Sequence, residues 1–328
     1  MPVKNSGRFL EKTLNSILDQ TFSDWELCAI DDGSTDNSRI ILEDYASADE
    51  RIKVFDNGFG KGIIPALRTA YSKSRGPVIT RMDSDDLMEK NKLFSLLKIL
   101  TDAGKNYVAC GLVSCFSDLG VKDGYRKYES WLNGVLSSSD PYGEIYRECV
   151  IQSSCWMIFR EDLIRSEAFL PSVYPEDYDL CFRFYKYGIK PVVCKEVLHY
   201  WRDHPDRVSR NDPAYSDQQF FDLKLKYFFE IERDRTKKLA VWGTGKKGKK
   251  LVRKIFSGYE DDVLWITGNT KKAGGMIYGI KIKYISVIND YESYQTIVAV
   301  SSPEDLNDIE IFMASSGSVK NRDHFFFC

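Results

Sequence analysis

The fold is decided by one stretch, Pro77-Val78-Ile79-Thr80-Arg81-Met82-Asp83-Ser84-Asp85-Asp86, in which a short apolar run leads into three carboxylates. The apolar run predicts a buried strand, and the acidic residues mark its carboxyl end. Carboxylates this close repel one another and are stable together only when water or a cation neutralises them. Their hard oxygen atoms suit Mg²⁺ or Mn²⁺. A solvated first helical turn, where Asp is favoured, explains the same residues without a ligand.

A second acidic stretch, Asp31-Asp32-Gly33-Ser34-Thr35-Asp36, follows another apolar run, Trp25 to Ile30. Strand and helix patterns alternate up to about residue 110, which predicts a largely parallel sheet with helices on both faces. Such sheets bind ligands at the carboxyl ends of their strands, so both acidic stretches converge on one edge. A carboxylate there accepts hydrogen bonds from a base or a ribose, although a turn and a helix cap explain it equally. The predicted strands are residues 25–30, 51–55 and 77–82, and the predicted helices are residues 9–18, 38–46, 62–74 and 93–100.

Two further polar segments follow a less periodic region, residues 110–175. Glu176-Asp177 opens a predicted helix, residues 176–188, where the helix dipole favours acids. A carboxylate beside a bound sugar instead acts as a general base. His204 lies in the segment Arg202 to Ser209, after a predicted strand at residues 191–200, and a lone His is often a satisfied polar group.

The composition describes an ordinary globular protein. The chain has 328 residues, 43% of them apolar and 29% charged, with a net charge of −2, which excludes a broadly basic nucleic-acid binder. Its eight cysteines form no Cys-x-x-Cys pair and sit in apolar runs, as in a reduced cytoplasmic protein. No secretory signal opens the sequence, and no stretch approaches the ~18 apolar residues that span a bilayer. We expect a cytoplasmic protein, at most peripheral at the inner face of the membrane.

The pattern restarts after an amphipathic helix at residues 216–235. We therefore predict a first domain at residues 1–212, a linker helix at 213–236 and a smaller Rossmann-like α/β domain at 237–328. The turn Gly243-Thr244-Gly245-Lys246-Lys247-Gly248 follows a predicted strand, and its glycines suit close approach of a phosphate. The acid expected roughly twenty residues later is missing, and Asn269 lies near that place. An NAD(P)-dependent oxidoreductase and a structural or partner-binding domain both remain open.

Taken together, the stretches resemble family 2 of the glycosyltransferases, which are inverting enzymes of the GT-A fold. The resemblance covers roughly residues 1–210 and rests on ordered motifs, which are more specific than any single one. It implies an α/β protein with a mostly parallel GT-A sheet flanked by helices. The matching stretches are Pro2-Val3-Lys4-Asn5, residues 31–36, residues 81–86, Glu176-Asp177 and residues 202–209, with further matches at residues 20–25 and 62–68.

The resemblance also implies a role for each matching residue. Asp177 takes the proton from the acceptor hydroxyl, and the Asp-x-Asp pair approaches Mn²⁺ or Mg²⁺. The implied metal ligands are Asp85, Asp83 and His204. The implied nucleotide-sugar contacts are Pro2, Asn5, Asp32, Asp83, Asp85, Arg68, Glu176 and Arg202.

The predicted reaction moves a sugar from a nucleotide-sugar donor, with a UDP-sugar favoured, to an acceptor hydroxyl. The acceptor is a glycan or a lipid-linked saccharide in bacterial polysaccharide or glycan biosynthesis, and no nucleic acid takes part. A non-catalytic sugar-binding protein on the same scaffold is the alternative, and the presence of Asp85 and Asp177 speaks against it.

The N-terminus carries one more expectation from the resemblance. Members of the family begin with an apolar strand that runs into the Pro-Val-x-Asn segment, and here Met1 stands directly before Pro2. We therefore expect a truncated first strand, weak nucleotide binding and an exposed apolar surface beside Ala29 and Ile30.

Overall fold

The computed structural model describes residues 1–118, 120–259 and 261–328, which form two compact units. The first unit comprises Met1–Tyr142 and Val150–Pro213, and the second comprises Gly143–Cys149 and Ala214–Cys328. In the part of the chain that is described, no helix is long and apolar enough to cross a membrane.

The first unit carries two sheets and their covering helices. Its strands are β1 Pro2–Val3, β2 Leu27–Asp31, β3 Ile52–Asp56, β4 Val78–Thr80, β5 Leu87–Met88, β6 Tyr107–Phe116, β7 Trp156–Phe159 and β8 Lys190–Arg202. Its helices are α1 Gly7–Leu18, α2 Ser38–Ala48, α3 Ile63–Lys73, α4 Lys92–Ala103, α5 Asp123–Leu136, α6 Arg160–Arg165, α7 Glu176–Lys186 and α8 Val208–Asn211, with short 3-10 turns at Pro141–Glu144 and Pro213–Tyr215.

The N-terminal sheet is wholly parallel, in the order β1-β2-β3. All five residues of β2 are buried because α3 packs on this strand and the strand pairs on both sides. The alternation of strands and helices predicted for this region is confirmed. Parallel strands leave their carboxyl ends at one edge of the sheet. Asp31, the last residue of β2, therefore lies at that edge, next to the polar residues that follow it in the chain.

The other sheet of this unit is mixed, in the order β4-β7-β6-β8-β5. In it β6 and β8 run parallel, while β7 pairs antiparallel with both β4 and β6, and β5 pairs antiparallel with β8. The α/β class and the GT-A type of sheet are confirmed, but the sheet is less parallel than predicted. The reason is β7, which enters between β4 and β6 from the region that showed no sequence period.

A cavity lies between the part of β2 that β1 leaves unpaired and the edge strand β4. β1 pairs with Ile30 and Asp31 of β2, and β4 is the edge strand of its sheet, next to β7. The cavity has a volume of about 620 Å³ and is lined by Met1, Leu27 and Cys28 on one side and by residues 76–82 on the other. Ala29 and Ile30 themselves are fully buried, and the residues beside them, Leu27 and Cys28, line this cavity.

We predict that an apolar strand joined to the nitrogen of Met1 fills this cavity and raises the melting temperature. The Met1 amine is buried, and burial lowers its pKa to about 6, so an amide at that atom replaces a buried ionisable group with a neutral one. Each kcal/mol gained raises the midpoint by about 2–4 °C in a domain of this size. The melting temperature of the protein with a four-residue Val/Ile extension is compared with that of the protein with a Gly/Ser extension of equal length. Equal midpoints for the two extensions contradict the prediction.

The second unit is built on a five-stranded parallel sheet in the order β13-β10-β9-β14-β15, with a separate hairpin of β11 and β12. Its strands are β9 Lys238–Trp242, β10 Val263–Thr267, β11 Met276–Ile277, β12 Ile280–Lys281, β13 Lys283–Tyr284, β14 Tyr294–Val298 and β15 His324–Phe326. Its helices are α9 Asp217–Tyr227, α10 Lys246–Gly258 and α11 Pro303–Ser315, with a π-helical turn at Phe228–Glu232 and a 3-10 helix at Ile285–Asp290.

Backbone packing explains two of the three glycines in the turn before α10. A Cβ on Gly248 would lie 2.0 Å from the carbonyl oxygen of Gly243. Gly243 itself has a φ of +133°, and a Cβ there would lie 2.7 Å from the carbonyl oxygen of Ala299. These glycines are thus required by the turn itself, whether or not a phosphate binds. A role for NAD(P) in this unit stays a prediction.

Candidate active site

The ends of β1 and β2 are tied together by their polar residues. The side-chain oxygen of Asn5 accepts a hydrogen bond from the backbone N–H of Thr35 at 2.8 Å, and Asn5 donates its own N–H to Ser34 Oγ at 3.0 Å. Asn5 has a φ of +50°, a conformation that Asn tolerates better than most residues. Pro2 pairs with Ile30 in the sheet. The structure therefore brings together Pro2, Asn5 and the acidic stretch after β2.

Asp32 is buried and anchors the loop that leads into α3. Its carboxylate accepts hydrogen bonds from the side chain of Asn57 at 2.6 Å and from the backbone N–H of Gly62 at 2.9 and 3.0 Å. The ammonium of Lys4 lies 3.4 Å away. The carboxylate of Asp32 is thus held by partners within the protein, and its predicted contact with a base stays a prediction.

A buried arginine organises the acidic residues after β4. The Arg81 guanidinium donates to Asp83 Oδ1 at 2.8 Å and to Glu176 Oε1 at 3.0 Å, and its side chain is 5% exposed. Ser153 donates to the other oxygen of Asp83 at 3.2 Å. Burial by itself raises the pKa of Asp83, but the charge of Arg81 outweighs it and holds that pKa below its usual range.

Asp177 lies in the first turn of α7, against this cluster. It lines a small pocket together with Arg81, Ser153 and Glu176. One of its oxygens accepts the backbone N–H of Tyr178 at 2.8 Å. Burial, followed by the negative charge of Glu176, raises the pKa of Asp177 to about 7. A carboxyl group with a pKa near neutrality can accept a proton from a reacting hydroxyl and release it again.

Asp85 and His204 form a second contact of the site. The imidazole Nε2 of His204 lies 2.9 Å from Asp85 Oδ2, and its Nδ1 is buried without a hydrogen-bond partner in the described part of the chain. The Arg202 guanidinium donates from Nε to the backbone oxygen of Asp85 at 2.6 Å. The side chains of Asp85 and Asp83 are similarly exposed, at 27% and 22%, so the two carboxylates differ mainly in their partners within the protein.

The metal ligands predicted from the sequence come together only in part. Among the residues that the structure describes, no group of three or more His, Cys, Asp or Glu side chains is arranged to hold a metal ion. Asp83 instead accepts hydrogen bonds from Arg81 and Ser153, one at each of its oxygens. The remaining carboxylate and imidazole fit Mn²⁺ or Mg²⁺, since such an ion is often held by one or two protein ligands together with substrate phosphates.

Arg68 and Arg202 are engaged within the protein. Arg68 donates to the backbone oxygens of Phe169 and Leu170 and to Ser172 Oγ, so it fixes that segment rather than standing open to a donor. Arg202 is 2% exposed, with its guanidinium over the rings of Phe9 and Phe116. Contacts of either arginine with a nucleotide sugar remain predictions.

Sequence reasoning missed a buried polar chain behind the Asp-x-Asp turn. Asp86 accepts the backbone N–H of Arg202 at 2.8 Å and contacts His199 Nε2 at 2.9 Å. The Nδ1 of His199 lies 3.0 Å from Lys92 Nζ, which also donates to the backbone oxygen of Ser154. Burial lowers the pKa of His199 well below its usual range and raises that of Asp86 well above it. The chain ties the turn to α4 and β8.

Comparison with known proteins agrees with this geometry. The glycosyl transferase family 2 profile matches residues 1–166, and the chain belongs to that family. It is 36% identical over 254 residues to the putative teichuronic acid biosynthesis glycosyltransferase TuaG of Bacillus subtilis, covering 77% of this chain and 94% of TuaG. It is 26% identical over 218 residues to WfgD of Escherichia coli, a UDP-Glc:alpha-D-GlcNAc-diphosphoundecaprenol beta-1,3-glucosyltransferase, covering 64% of this chain and 78% of WfgD. The protein is a glycosyltransferase.

Solved structures share the fold. S. aureus TarS 1-349 in complex with UDP-GlcNAc superimposes with a TM-score of 0.56 at 17% identity, covering 78% of this chain and 71% of that one. The mannosyltransferase PcManGT of Pyrobaculum calidifontis, in complex with GDP-Man and Mn²⁺, gives a TM-score of 0.51 at 17% identity over 77% of this chain and 66% of that one. At this identity the likeness concerns the fold, which is of the GT-A type.

Proposed function

We propose that the protein transfers a sugar from a UDP-sugar to the hydroxyl of a glycan or lipid-linked acceptor, with inversion at the anomeric carbon. The observation that carries the proposal is Asp177, a carboxyl group with a pKa raised to about 7 beside the Arg81–Asp83–Glu176 cluster. Relatives support the substrate classes, because WfgD is named for a UDP-glucose donor and a diphosphoundecaprenol-linked acceptor. TarS, which shares the fold, binds UDP-GlcNAc.

The residues divide the reaction between two sides of the anomeric carbon. Asp177 accepts the proton of the acceptor hydroxyl as the hydroxyl oxygen forms the new bond to the anomeric carbon. The bond to the diphosphate breaks on the opposite face, so a single displacement inverts the centre. Asp85 and His204 would hold Mn²⁺ or Mg²⁺, which when bound stabilises the charge that develops on the diphosphate. Asp32 and Asn5 bind and orient the nucleoside.

A direct assay tests this function. The purified protein is supplied with a panel of UDP- and GDP-sugars, and release of the nucleoside diphosphate is followed with Mn²⁺, with Mg²⁺ and with EDTA. We expect release from a UDP-sugar that EDTA abolishes and, when an acceptor saccharide is supplied, a glycoside of opposite anomeric configuration to the donor by proton NMR. Metal-independent release or a retained configuration contradicts the proposal.

We place the reaction in the cytoplasm, at the inner face of the membrane where a lipid-linked acceptor is presented. Support comes from the eight cysteines, all of which are free thiols, as expected in a reducing compartment. Sedimentation of the protein with anionic vesicles, in the presence and absence of salt, tests the peripheral contact.

We also propose that the second unit folds on its own and has a structural or partner-binding role. Tyr146 packs against Phe228, Phe325 and Phe327, so residues 143–149 belong to this unit together with Ala214–Cys328, which includes α9. The predicted linker helix is thereby part of the second unit.

Limited proteolysis with trypsin tests this boundary. We expect early cleavage after Arg210, which is exposed, and protection of Lys224, whose buried ammonium donates to the backbone oxygens of Arg147 and Phe327. Mass spectrometry identifies the fragments. Cleavage after Lys224 as fast as after Arg210 shows that α9 is a linker outside the folded unit.

A further inference from the structure

One face of α10, in the second unit, is strongly basic. The helix contains six cationic residues and no acidic residue. Its inner face packs on β9 and β10, and Leu251 and Ile255 on that face are fully buried. Phe256 is 45% exposed and extends the outer face toward the end of the helix. The cations of the outer face recur at the spacing of a single helix stripe and are Lys246, Lys249, Lys250 and Arg253.

The hairpin of β11 and β12 extends this face. Arg253 of α10 donates to the hydroxyl of Tyr278 at 2.8 Å, so the tip of the hairpin lies against the helix. Met276, on the same hairpin, is 62% exposed. Residues 263–289 contain no acidic residue and four lysines, all exposed, at 271, 272, 281 and 283. The basic surface, as it is called below, consists of Lys246, Lys249, Lys250, Arg253, Phe256, Met276 and Tyr278.

Folding alone does not account for the charge of this surface. Lys246 and Lys250 are four residues apart, as are Lys249 and Arg253, and like charges at this spacing destabilise a helix. Among the residues that the structure describes, none of these four cations forms an ion pair with a carboxylate. A face that serves solubility alone usually mixes both signs of charge. The net charge of the whole chain is −2, so the excess of positive charge here is local.

The chemistry of the basic surface fits an anionic lipid bilayer. Lysine ammonium groups act as point charges, which suits a diffuse negative surface, whereas guanidinium groups favour paired contacts with single phosphates. The exposed apolar side chains of Phe256 and Met276 stand among these charges and can enter the headgroup region. A single-stranded nucleic acid would need open rings for base stacking. The ring of Tyr278 already stacks on Trp265 and lies 4.7 Å from the Arg253 guanidinium.

We propose that the basic surface binds the anionic headgroups of a phospholipid bilayer. This inference rests on the part of the proposed function that places the enzyme at the membrane, and it assigns that contact to the second unit. The lysines attract the negative surface, and Phe256 and Met276 insert between the headgroups. The partner-binding role of the second unit is then membrane docking, which requires no nucleotide in the turn before α10.

Vesicle flotation with the full chain tests the proposal. Binding is measured to vesicles of phosphatidylglycerol and phosphatidylcholine in equal parts, and to vesicles of phosphatidylcholine alone. We expect binding to the anionic vesicles only, and weaker binding at high salt. The combined variant Lys246→Gln, Lys249→Gln and Lys250→Gln is expected to bind about a hundredfold more weakly, because each lysine near an anionic surface contributes about fivefold. Phe256→Ser is expected to weaken binding roughly tenfold.

A matched control removes the same charge from the first unit. Lys12, Lys98 and Lys127 are exposed residues of α1, α4 and α5, and their combined replacement by Gln is expected to leave vesicle binding unchanged. The melting temperature of each variant shows that it has folded. UDP release without vesicles reports the transferase function separately.

Four results overturn the proposal. The first is a wild-type protein that does not bind anionic vesicles, and the second is unchanged binding in the α10 variant. The third is an equal loss of binding in the α10 variant and the control, which shows a general charge effect. The fourth is tighter binding of the wild type to a single-stranded oligonucleotide than to the vesicles, which assigns the surface to nucleic acid instead.

Discussion

Replacement of Asp85 by Ala is expected to reduce metal-dependent UDP release by about a hundredfold or more at an Mn²⁺ concentration that saturates the wild type. Asp85 offers a partly exposed carboxylate, which contacts the imidazole of His204. Asp83 already accepts hydrogen bonds from Arg81 and Ser153, one at each of its oxygens. Loss of Asp85 removes the carboxylate that we propose holds the metal ion together with His204.

Two further variants separate a metal ligand from a general charge effect. His204→Gln keeps a polar side chain and is expected to raise the Mn²⁺ concentration needed for half-maximal rate while leaving part of the maximal rate. Asp206→Ala removes a carboxylate that is 76% exposed and paired with Arg8 on the surface, so we expect wild-type kinetics. Isothermal titration with Mn²⁺ and UDP provides the direct measurement. Full activity of Asp85→Ala with saturating metal refutes its assignment.

Local patterns in the sequence were sufficient for much of the fold and for the place of the site. β2 is a short apolar run followed by a turn, and this pattern is typical of a fully buried strand in a parallel sheet. The same local pattern set Asp32 directly after β2, where the structure has it, whereas the strand before Asp83 ends earlier than predicted, at Thr80. In contrast, β6 was missed because its first residues are buried on both faces, which leaves no alternation to detect.

The partners of the acidic residues could not be predicted, because they depend on contacts between distant parts of the chain. Asp86 contacts His199, which is 113 residues away in the sequence, and Arg81 contacts Glu176, which is 95 residues away. The resemblance placed Asp83 near the ribose and the metal and Asp85 at the metal. It did not predict their partners, which differ in the fold: Asp83 pairs with Arg81, and Asp85 contacts His204.

Replacement of Asp177 by Asn is expected to abolish sugar transfer, by about a hundredfold to ten-thousandfold, while donor binding is retained. Asn has nearly the same shape and can accept the N–H of Tyr178, but it cannot take up a proton from the acceptor hydroxyl. Binding of UDP, measured by titration calorimetry in the presence of Mn²⁺, reports whether the donor site is intact. Loss of nucleotide binding together with transfer contradicts a role confined to proton transfer.

The pH dependence of sugar transfer gives a second, independent test of Asp177 as the general base. Burial and the charge of Glu176 raise its pKa to about 7, and only the ionised carboxylate acts as a base, so kcat/KM should rise as the pH increases through about 7 and then level off. Glu176→Gln removes the neighbouring negative charge, which stabilises the ionised form of Asp177 and moves this rise to lower pH. Because the amide oxygen of the introduced side chain can still accept a hydrogen bond from Arg81, the variant tests the charge with little change in contacts. A rise that stays at the same pH in Glu176→Gln, or that persists in the residual activity of Asp177→Asn, shows that another group is the base.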